Sequence, residues 1–318
     1  MEYRKLISFG KSSFIVSLPK SWITQNKMKK GDLVYMEDSG GGLILQPNAS
    51  KSKEQDKEIT INIEGKNPRR IQREIISSYI KNYKTITLVG NDIKNKAKTL
   101  QQFIHNLVAL EIMEQDAKKI VAKDFLNLDD ISIEQIIKKM DIITRSMMSD
   151  CRNMFKEDTY ENINHRDDDV NRFRFLIFRI VWFGMENPSL SLKKFKLNQL
   201  NMLHLWWLAF TIEAIADHTK RIARYLRETK LNPKNQQEFL QLLTTVEQSY
   251  VEMMKGYYTK NPELAHEVLE KREYITGRCD EFYLKNKEAP YIGYLTQNLK
   301  SLIVNIHTIG RMIYQEMT

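Results

Sequence analysis

The pattern of hydrophobic and polar positions divides the chain into three regions, and the first runs from Met1 to about Pro47. Short apolar runs alternate there with turn residues, and Pro19 closes a strand because proline cannot donate to a central ladder. A region this small, with few apolar side chains, cannot bury an adequate core alone. It therefore needs a partner, and the simplest partner is a second copy of itself. The predicted elements are strands at 3–8 and 13–18, a helical turn at 20–26 and a hairpin formed by 33–37 and 43–46.

The second region runs from about Glu58 to Asn127 and follows a polar linker at 51–57. Alternating isoleucines at its start predict a half-buried strand, and Asn67-Pro68 is typical of an N-cap followed by a first-turn proline. Further strands are expected at 85–89 and 119–123, with helices between, as a small βαβαβ layer. The region lacks the glycine-rich phosphate motifs, which gives a nucleotide site little support.

The third region, from about Asp129 onward, has the periodicity of long helices. Because proline disfavours the α conformation in the preceding residue, Asn187-Pro188, Asn232-Pro233, Asn261-Pro262 and Ala289-Pro290 mark helix boundaries. Six helices in two sets of three indicate a duplicated three-helix bundle. The predicted helices cover roughly 131–157, 160–185, 198–229, 235–259, 262–286 and 291–317.

Composition narrows the class of protein. The 318 residues are 28% charged and 42% hydrophobic, as in a soluble globular protein, and no apolar run reaches the roughly 18–20 residues of a membrane span. No signal segment is recognisable at the start, so a cytoplasmic location is expected. Cys151 and Cys279 are far apart and are expected to be two ordinary buried thiols.

Charge is concentrated at the N-terminus. The formal net charge is +9, and residues 1–30 contain seven basic residues and one acidic residue, hence +6 of it. Such a basic patch attracts polyanions, above all nucleic acid, although a solvated basic face would have the same composition. The seven are Arg4, Lys5, Lys11, Lys20, Lys27, Lys29 and Lys30.

The N-terminal motif adds a resemblance. Residues 16–22 read Val-Ser-Leu-Pro-Lys-Ser-Trp, and Lys30-Gly31-Asp32-Leu33-Val34 follows after a short spacer. This resembles the SpoVT/AbrB-like DNA-binding module, with its "VSLPKxW…GDxV" pattern. The resemblance implies a homodimer that binds DNA, and the cations expected to contact it are Arg4, Lys5, Lys11 and Lys20.

Candidate metal ligands lie in the third region. Glu213 and Asp217 are four residues apart on one predicted helix, so their carboxylates project from one face. The preceding helix carries Asp167, Asp168 and Asp169, and facing acidic clusters offer hard oxygen ligands to Mg²⁺, Mn²⁺, Ca²⁺ or iron. A solvated helix face, or first-turn acids favoured by the helix dipole, would give the same pattern.

These helices carry a second resemblance. Glu213-Ala-Ile-Ala-Asp217-His218 is similar to the PhoU-family motif "ERIGDHAxxIA", and 166–172 to that family's "RDxEVDRL". PhoU domains are tandem three-helix bundles that hold metal clusters, so the resemblance implies a divalent or iron cation at Asp167, Glu213 and Asp217. Asn171 stands where the family has a second Asp.

The second half departs from the motif. Arg311 stands where the family has its Asp and His307 where it has its Glu, while Arg272 and Thr276 replace the pair on the partner helix. A metal cluster is therefore not expected there.

Together, the residues and the two resemblances predict a multidomain α+β chain similar to the archaeal-type phosphate uptake regulators. The expected domains are a swapped-hairpin-type β module of the SpoVT/AbrB kind (1–50), a small α/β domain (58–127) and an all-α tandem bundle of the PhoU kind, with repeats at 129–229 and 233–318.

The leading functional hypothesis is a non-enzymatic, DNA-binding negative regulator of phosphate transport genes. The resemblance also implies contact with phosphate ABC transporter components or a signalling kinase. A second hypothesis is an adaptor that dimerises through the N-terminal module and never binds DNA. A third, a carboxylate-bridged metalloenzyme, has only Glu213 and Asp217 in its favour, because His218 points off their face.

Overall fold

The structure is a computed structural model that describes residues 3–38, 42–47 and 57–315. The predicted loop at 39–42, apart from Gly42, and the predicted linker at 51–57, apart from Lys57, lie outside the described residues. The chain divides into two compact units, 1–56 and 57–318, and each is described by itself.

The N-terminal unit contains two hairpins and a short helix. Strand β1 (Ile7–Phe9) pairs antiparallel with β2 (Ser13–Ile15) across a turn in which Gly10 has φ +70°, a conformation that glycine adopts without strain. Helix α1 (Lys20–Gln25) follows Pro19, and β3 (Tyr35–Asp38) pairs antiparallel with β4 (Leu43–Gln46). The two first strands are shorter than predicted, and none of the side chains described in this unit is buried.

The second unit begins with a four-stranded mixed sheet in the order β5-β6-β8-β7. The structure has one strand more than the predicted βαβαβ layer. This extra strand, β7, forms a hairpin with β8, and β8 is antiparallel to β6. Strand β7 (Leu110–Gln115) is mostly exposed, and its apolar residues Leu110, Ile112 and Met113 do not alternate regularly with polar ones, so the pattern did not reveal it. The elements are β5 (Glu58–Asn62), α2 (Pro68–Ile80), β6 (Thr85–Val89), α3 (Ile93–His105), β7 (Leu110–Gln115) and β8 (Lys119–Asp124).

The helical body follows a short 3₁₀ turn at Leu128–Asp130. The boundaries predicted from the Asn-Pro pairs are confirmed, since α6, α8 and α9 each have proline at the first helical position. The predicted helix at 262–286 is two helices that meet at Lys271, and the short α6 was not predicted. The helices are α4 (Ile133–Asn153), α5 (Tyr160–Glu186), α6 (Pro188–Phe195), α7 (Gln199–Leu226), α8 (Pro233–Thr259), α9 (Pro262–Glu270), α10 (Arg272–Lys285) and α11 (Ile292–Gln315).

Two groups of helices share one apolar core. Helices α4, α5 and α7 pack on one another, and α8, α9 and α10 pack on α11. The groups join mainly where α7 lies against α11, and buried side chains from both groups form a continuous cluster. Cys151 and Cys279 are free and buried, as expected. In the part of the chain that the structure describes, no helix is both long and apolar enough to cross a membrane.

A buried ion pair joins the sheet to the helical body. Arg179 on α5, 1% exposed, donates from Nη1 and Nη2 to the two carboxylate oxygens of Asp124 at the end of β8, over 2.9 and 2.6 Å. Its Nε donates to Asn82 Oδ1 at 2.9 Å, and its guanidinium lies 4.7 Å from the ring centre of Tyr79. Lys84 Nζ also donates to Asp124 at 3.0 Å. With its donors and charge satisfied, Arg179 fixes α5 to the sheet.

Candidate functional site

The predicted DNA-contacting residues lie at separate points of the N-terminal unit. Arg4 and Lys5 precede β1, Lys11 lies in the turn after β1, and Lys20 is the first residue of α1. All four side chains are exposed.

Local hydrogen bonds fix the backbone that carries the motif residues. Asn26 donates from its side chain to the carbonyl oxygen of Trp22 at 2.8 Å, which closes the end of α1. Asp32 Oδ2 accepts from the backbone N–H of Lys29 at 2.7 Å, and the Asp32 N–H returns a bond to the Lys29 carbonyl at 3.1 Å. Gly31, between them in the motif, has φ +96°. The Lys-Gly-Asp sequence is thus a specific turn, since only glycine adopts that conformation readily.

The same unit exposes many large apolar side chains. Leu6, Phe14 and Leu33 are 68%, 67% and 70% exposed. Monomeric soluble proteins rarely leave so many apolar side chains together in water, and a set this dense is typical of a surface that another chain covers. The others are Tyr3, Ile7, Phe9, Ile15, Val16, Tyr35, Met36 and Leu43.

The predicted metal ligands do come together, on facing positions of α5 and α7. Asp167 on α5 is only 2% exposed, and its Oδ2 accepts a hydrogen bond from Lys220 Nζ. Lys220 also lies 3.3 Å from Asp217, whose second oxygen contacts Arg221 at 2.6 Å. Lys220 therefore bridges two carboxylates from two helices, which is a role that a metal ion performs in other proteins.

Glu213 has a cation of its own. Arg174 on α5 lies 3.3 Å from Glu213 Oε2, with both side chains mostly shielded from solvent. Burial raises the pKa of Glu213, and repulsion from Asp217 and Asp167 adds to the rise while Arg174 opposes it. The three predicted carboxylates thus act on one another electrostatically, as the sequence pattern predicted.

The pKa values of the central pair reflect its burial. Burial raises the pKa of Asp167 even though the Lys220 ammonium opposes the change. Burial by itself would lower the pKa of Lys220, but Asp167 and Asp217 outweigh it and raise that pKa. The direct contact of Lys220 Nζ with the carboxylate favours the charged form of both groups and opposes the effect of burial on the Asp167 pKa.

The contacts of the three predicted metal ligands do not favour a bound metal ion. Each of the three carboxylates has a lysine or arginine in contact, and Asn171 donates its Nδ2 to Asp167 at 3.3 Å instead of offering an oxygen. Among the described residues, no group of three or more His, Cys, Asp or Glu is arranged to hold a metal. Asp167 Oδ1, however, is buried without a hydrogen-bond partner. A cation at Asp167, Glu213 and Asp217 stays a prediction, and it would have to displace Lys220.

Sequence reasoning did not identify the cations. Lys220 lies three residues after Asp217, and Arg174 lies seven after Asp167, so both share the face of the acids. These positions could have indicated that Lys220 and Arg174 pair with the acids. What the sequence could not give was the direction of two long side chains, which depends on the packing of α5 against α7.

Comparison with known proteins identifies the N-terminal unit only. Residues 7–54 match the family described as antidote-toxin recognition MazE, bacterial antitoxin. No curated protein and no solved structure matches the chain. The PhoU resemblance of the helical body therefore stays a prediction. The prediction of an AbrB-like DNA-binding module at the N-terminus is confirmed in this coarser form: residues 7–54 are similar to a MazE/AbrB-like, antitoxin-type DNA-binding domain.

Proposed function

We propose that the chain is a DNA-binding regulator that works as a dimer through its N-terminal unit. The observation that carries this proposal is a small unit that matches an antitoxin family, exposes its apolar side chains and carries a basic charge. A second copy would cover the apolar side chains, and two copies related by a two-fold axis would present two identical basic surfaces. Such an arrangement fits a pseudo-palindromic DNA site.

The number of predicted phosphate contacts, four from each copy, predicts how strongly DNA binding depends on salt. If all eight in a dimer contact phosphates, the logarithm of the binding constant should fall with the logarithm of salt concentration with a slope of about −7. Affinity should then drop by a factor of 10³ or more between about 50 and 200 mM salt. These contacts fix position on the duplex and do not by themselves specify a sequence.

The deciding experiment compares two triple charge reversals in electrophoretic mobility shifts with fragments of the source genome. The test variant is Lys5→Glu, Lys11→Glu and Lys20→Glu, and the control is Lys138→Glu, Lys156→Glu and Lys234→Glu at exposed positions of the helical body. The test variant should lose DNA binding at all salt concentrations while it remains dimeric, and the control should bind like the wild type. Equal binding by both, or a salt-independent shift, would overturn the proposal.

For the biological role, we infer negative control of phosphate uptake and related genes, with the helical body as the part that senses state or contacts a transporter component or kinase. This inference depends on the motifs at 166–172 and 213–218 alone. A reporter for phosphate-transport genes should rise at high phosphate when the gene is deleted. If the test variant above represses that reporter as well as the wild type does, the adaptor that never binds DNA is the correct function.

A further inference from the structure

Strand β5 is an edge of the four-stranded sheet, and part of its backbone faces away from the other strands. The Lys57 carbonyl, just before the strand, accepts a hydrogen bond from the Thr85 N–H at 3.4 Å. The Ile63 N–H, just after the strand, donates to the Val89 carbonyl at 2.9 Å. Because backbone groups of successive strand residues alternate in direction, the odd-numbered residues between these two also point to β6. The residues that point outward are Glu58, Thr60 and Asn62.

The outward edge of β5 is unprotected in the part of the chain that the structure describes. Strand β5 pairs only with β6 there, in a regular register from Glu58↔Thr85 to Asn62↔Val89. It contains no proline, no lysine and no bulge, which are the usual features that prevent a further strand from pairing with an edge. The opposite edge, β7, does have a register shift. Strand β5 therefore remains able to accept another strand.

A groove lies along this edge, between β5 and helix α2. Its volume is about 410 Å³, and β5 contributes Ile59, Thr60, Ile61 and Asn62 to its lining. Residues that point to β6 and residues that point outward both line it, which places the groove at the edge of the strand rather than over one face of the sheet.

The two sides of the groove match in length. Helix α2 connects two parallel strands, so it runs antiparallel to β5. From Arg70 to Lys81 the helix rises by about 16 Å, and the strand Glu58–Asn62 extends over about the same distance. The groove is therefore long enough for an extended segment of about five residues.

The helix side of this groove is cationic. Its lining includes four basic residues and one acidic residue, hence a net charge of +3. The acid, Glu74, contacts Lys66 over 2.6 Å and Arg70 over 3.1 Å. Arg73 and Lys81 are exposed, and neither forms an ion pair with any residue of the described ranges. Two cations at the rim are thus free to pair with carboxylates of a bound molecule.

We propose that the β5 edge and this groove bind an extended acidic peptide segment of a partner protein, which adds to the sheet as a fifth strand. The backbone of the segment pairs with the outward groups of Glu58, Thr60 and Asn62, and carboxylates at alternate positions face Arg73 and Lys81. A second copy of this chain does not fit, because two grooves of net charge +3 would face each other. The inference does not depend on the proposed DNA binding.

Backbone pairing distinguishes a peptide from other polyanions. A nucleic acid or a free anion would neutralise Arg73 and Lys81, but neither supplies the alternating N–H and C=O groups that pair with a strand edge. In complexes formed by strand addition, main-chain hydrogen bonds give affinity and alternate side chains give specificity. The expected pattern is therefore Asp or Glu at every second position of the segment.

The first test measures the fluorescence anisotropy of a labelled peptide, Glu-Thr-Glu-Thr-Glu-Thr-Glu, with the full chain at pH 7 and low salt. The test variant is Arg73→Glu with Lys81→Glu. The control is Lys94→Glu with Lys98→Glu, which changes the net charge equally at two exposed lysines of helix α3. The test variant should bind the peptide about tenfold more weakly or worse, because attractive contacts become repulsive, and the control should bind like the wild type.

Two modified peptides test the strand geometry. Backbone N-methylation at every second residue removes the N–H groups on one edge of the peptide and leaves those on the other edge free. One of the two methylated peptides should lose binding, and the other should keep it. Equal binding by both would mean a purely electrostatic contact, of the kind that a nucleic acid makes, and the proposal would be wrong. It is also wrong if the unmodified peptide does not bind, or if the test variant binds it as tightly as the control.

Hydrogen exchange of the wild type keeps the proposal testable if the variant unfolds. Without peptide, the outward N–H groups of Thr60 and Asn62 should exchange faster than those of Ile59 and Ile61, which point to β6. Saturating peptide should slow the exchange of Thr60 and Asn62 by about tenfold or more. Unchanged exchange at these two residues with the peptide bound would place the peptide elsewhere and overturn the assignment.

Discussion

Two helix pairs in the same body differ in how their charged side chains are compensated. On α5 and α7, the acids Asp167 and Asp217 face each other and Lys220 lies between them. On α10 and α11, Arg272 and Arg311 form no ion pair with a carboxylate of the described residues, whereas Lys300 pairs with Asp280. The first pair neutralises its charge from within, whereas in the second pair solvent screens the arginines.

The comparison teaches that charge and burial vary independently on one scaffold. A buried charge is tolerated when an opposite charge lies beside it, which describes Asp167. Positive charges near one another are tolerated when the arginines reach solvent and the histidine is neutral. Burial, Arg272 and Arg311 favour the neutral form of His307, because they lower its pKa to about 4. The two pairs should therefore respond in opposite directions to acid and to the loss of one partner.

The largest effect is expected at the first pair. Lys220→Met removes the cation from Asp167 and should lower the free energy of unfolding by about 3 kcal/mol, because it leaves a buried carboxylate unpaired. Urea unfolding at pH 7 measures the change. The loss should shrink as the pH falls, since burial has already raised the pKa of Asp167 and protonation removes the uncompensated charge.

The double variant Asp167→Asn with Lys220→Met is the matched comparison. It should be more stable than Lys220→Met alone, because the orphaned charge is gone. A Lys220→Met protein that unfolds like the wild type would show that the ion pair contributes nothing to the first helix pair.

An intermediate effect is expected at the second pair, on acidification. The pKa of His307 is about 4 in the folded protein against an ordinary value of 6.5, so the unfolded chain binds a proton first as the pH falls. The stabilisation is complete above pH 6.5 and is lost progressively towards pH 4, on the order of 2 kcal/mol. His307→Gln should remove this part of the acid sensitivity.

Urea unfolding of His307→Gln and wild type at pH 7 and pH 4.5 measures that difference. The control is His266→Gln, an exposed histidine on the neighbouring helix α9, which should keep the wild-type dependence. An acid sensitivity that is the same in all three proteins would contradict the charge assigned to the second pair.

The smallest effect is expected at Arg221, which contacts Asp217 at 2.6 Å but has a half-exposed side chain. Arg221→Gln should change the free energy of unfolding by less than about 0.5 kcal/mol, because solvent screens exposed pairs. Comparison of Arg221→Gln with Lys220→Met separates the contribution of the exposed ion pair at Asp217 from that of the buried ion pair at Asp167. A change as large as that of Lys220→Met would mean that Arg221, and not Lys220, compensates the acids.

Much of the fold follows from local signals. Asn67, placed before Pro68, accepts a hydrogen bond from the Arg70 N–H at 2.9 Å as an N-cap should, and Asn232 does the same for Asn235. Strand β7 and the break at Lys271 gave no such signal. The first is a mostly exposed edge strand without regular alternation, and the second contains neither proline nor glycine.

The candidate site was also predictable only in part, as far as local sequence signals reach. Helical spacing was sufficient to place Glu213 and Asp217 on one face, whereas Asp167 as their partner was expected only from the motif resemblance. Pairing of Lys220 with Asp167 was not predictable, because it requires two helices to pack at a particular register. Spacing within one helix constrains a face, whereas contacts between helices depend on the whole core.

The Arg179–Asp124 contact has a mechanical consequence. It holds the sheet against the last third of α5, while Lys57, just before β5, contacts Glu186 at the end of α5 over 3.2 Å. Hinge motion between sheet and helix is thereby suppressed at two points along α5. A displacement of α5 is therefore expected to carry the sheet with it, so that sheet and helix move as one body.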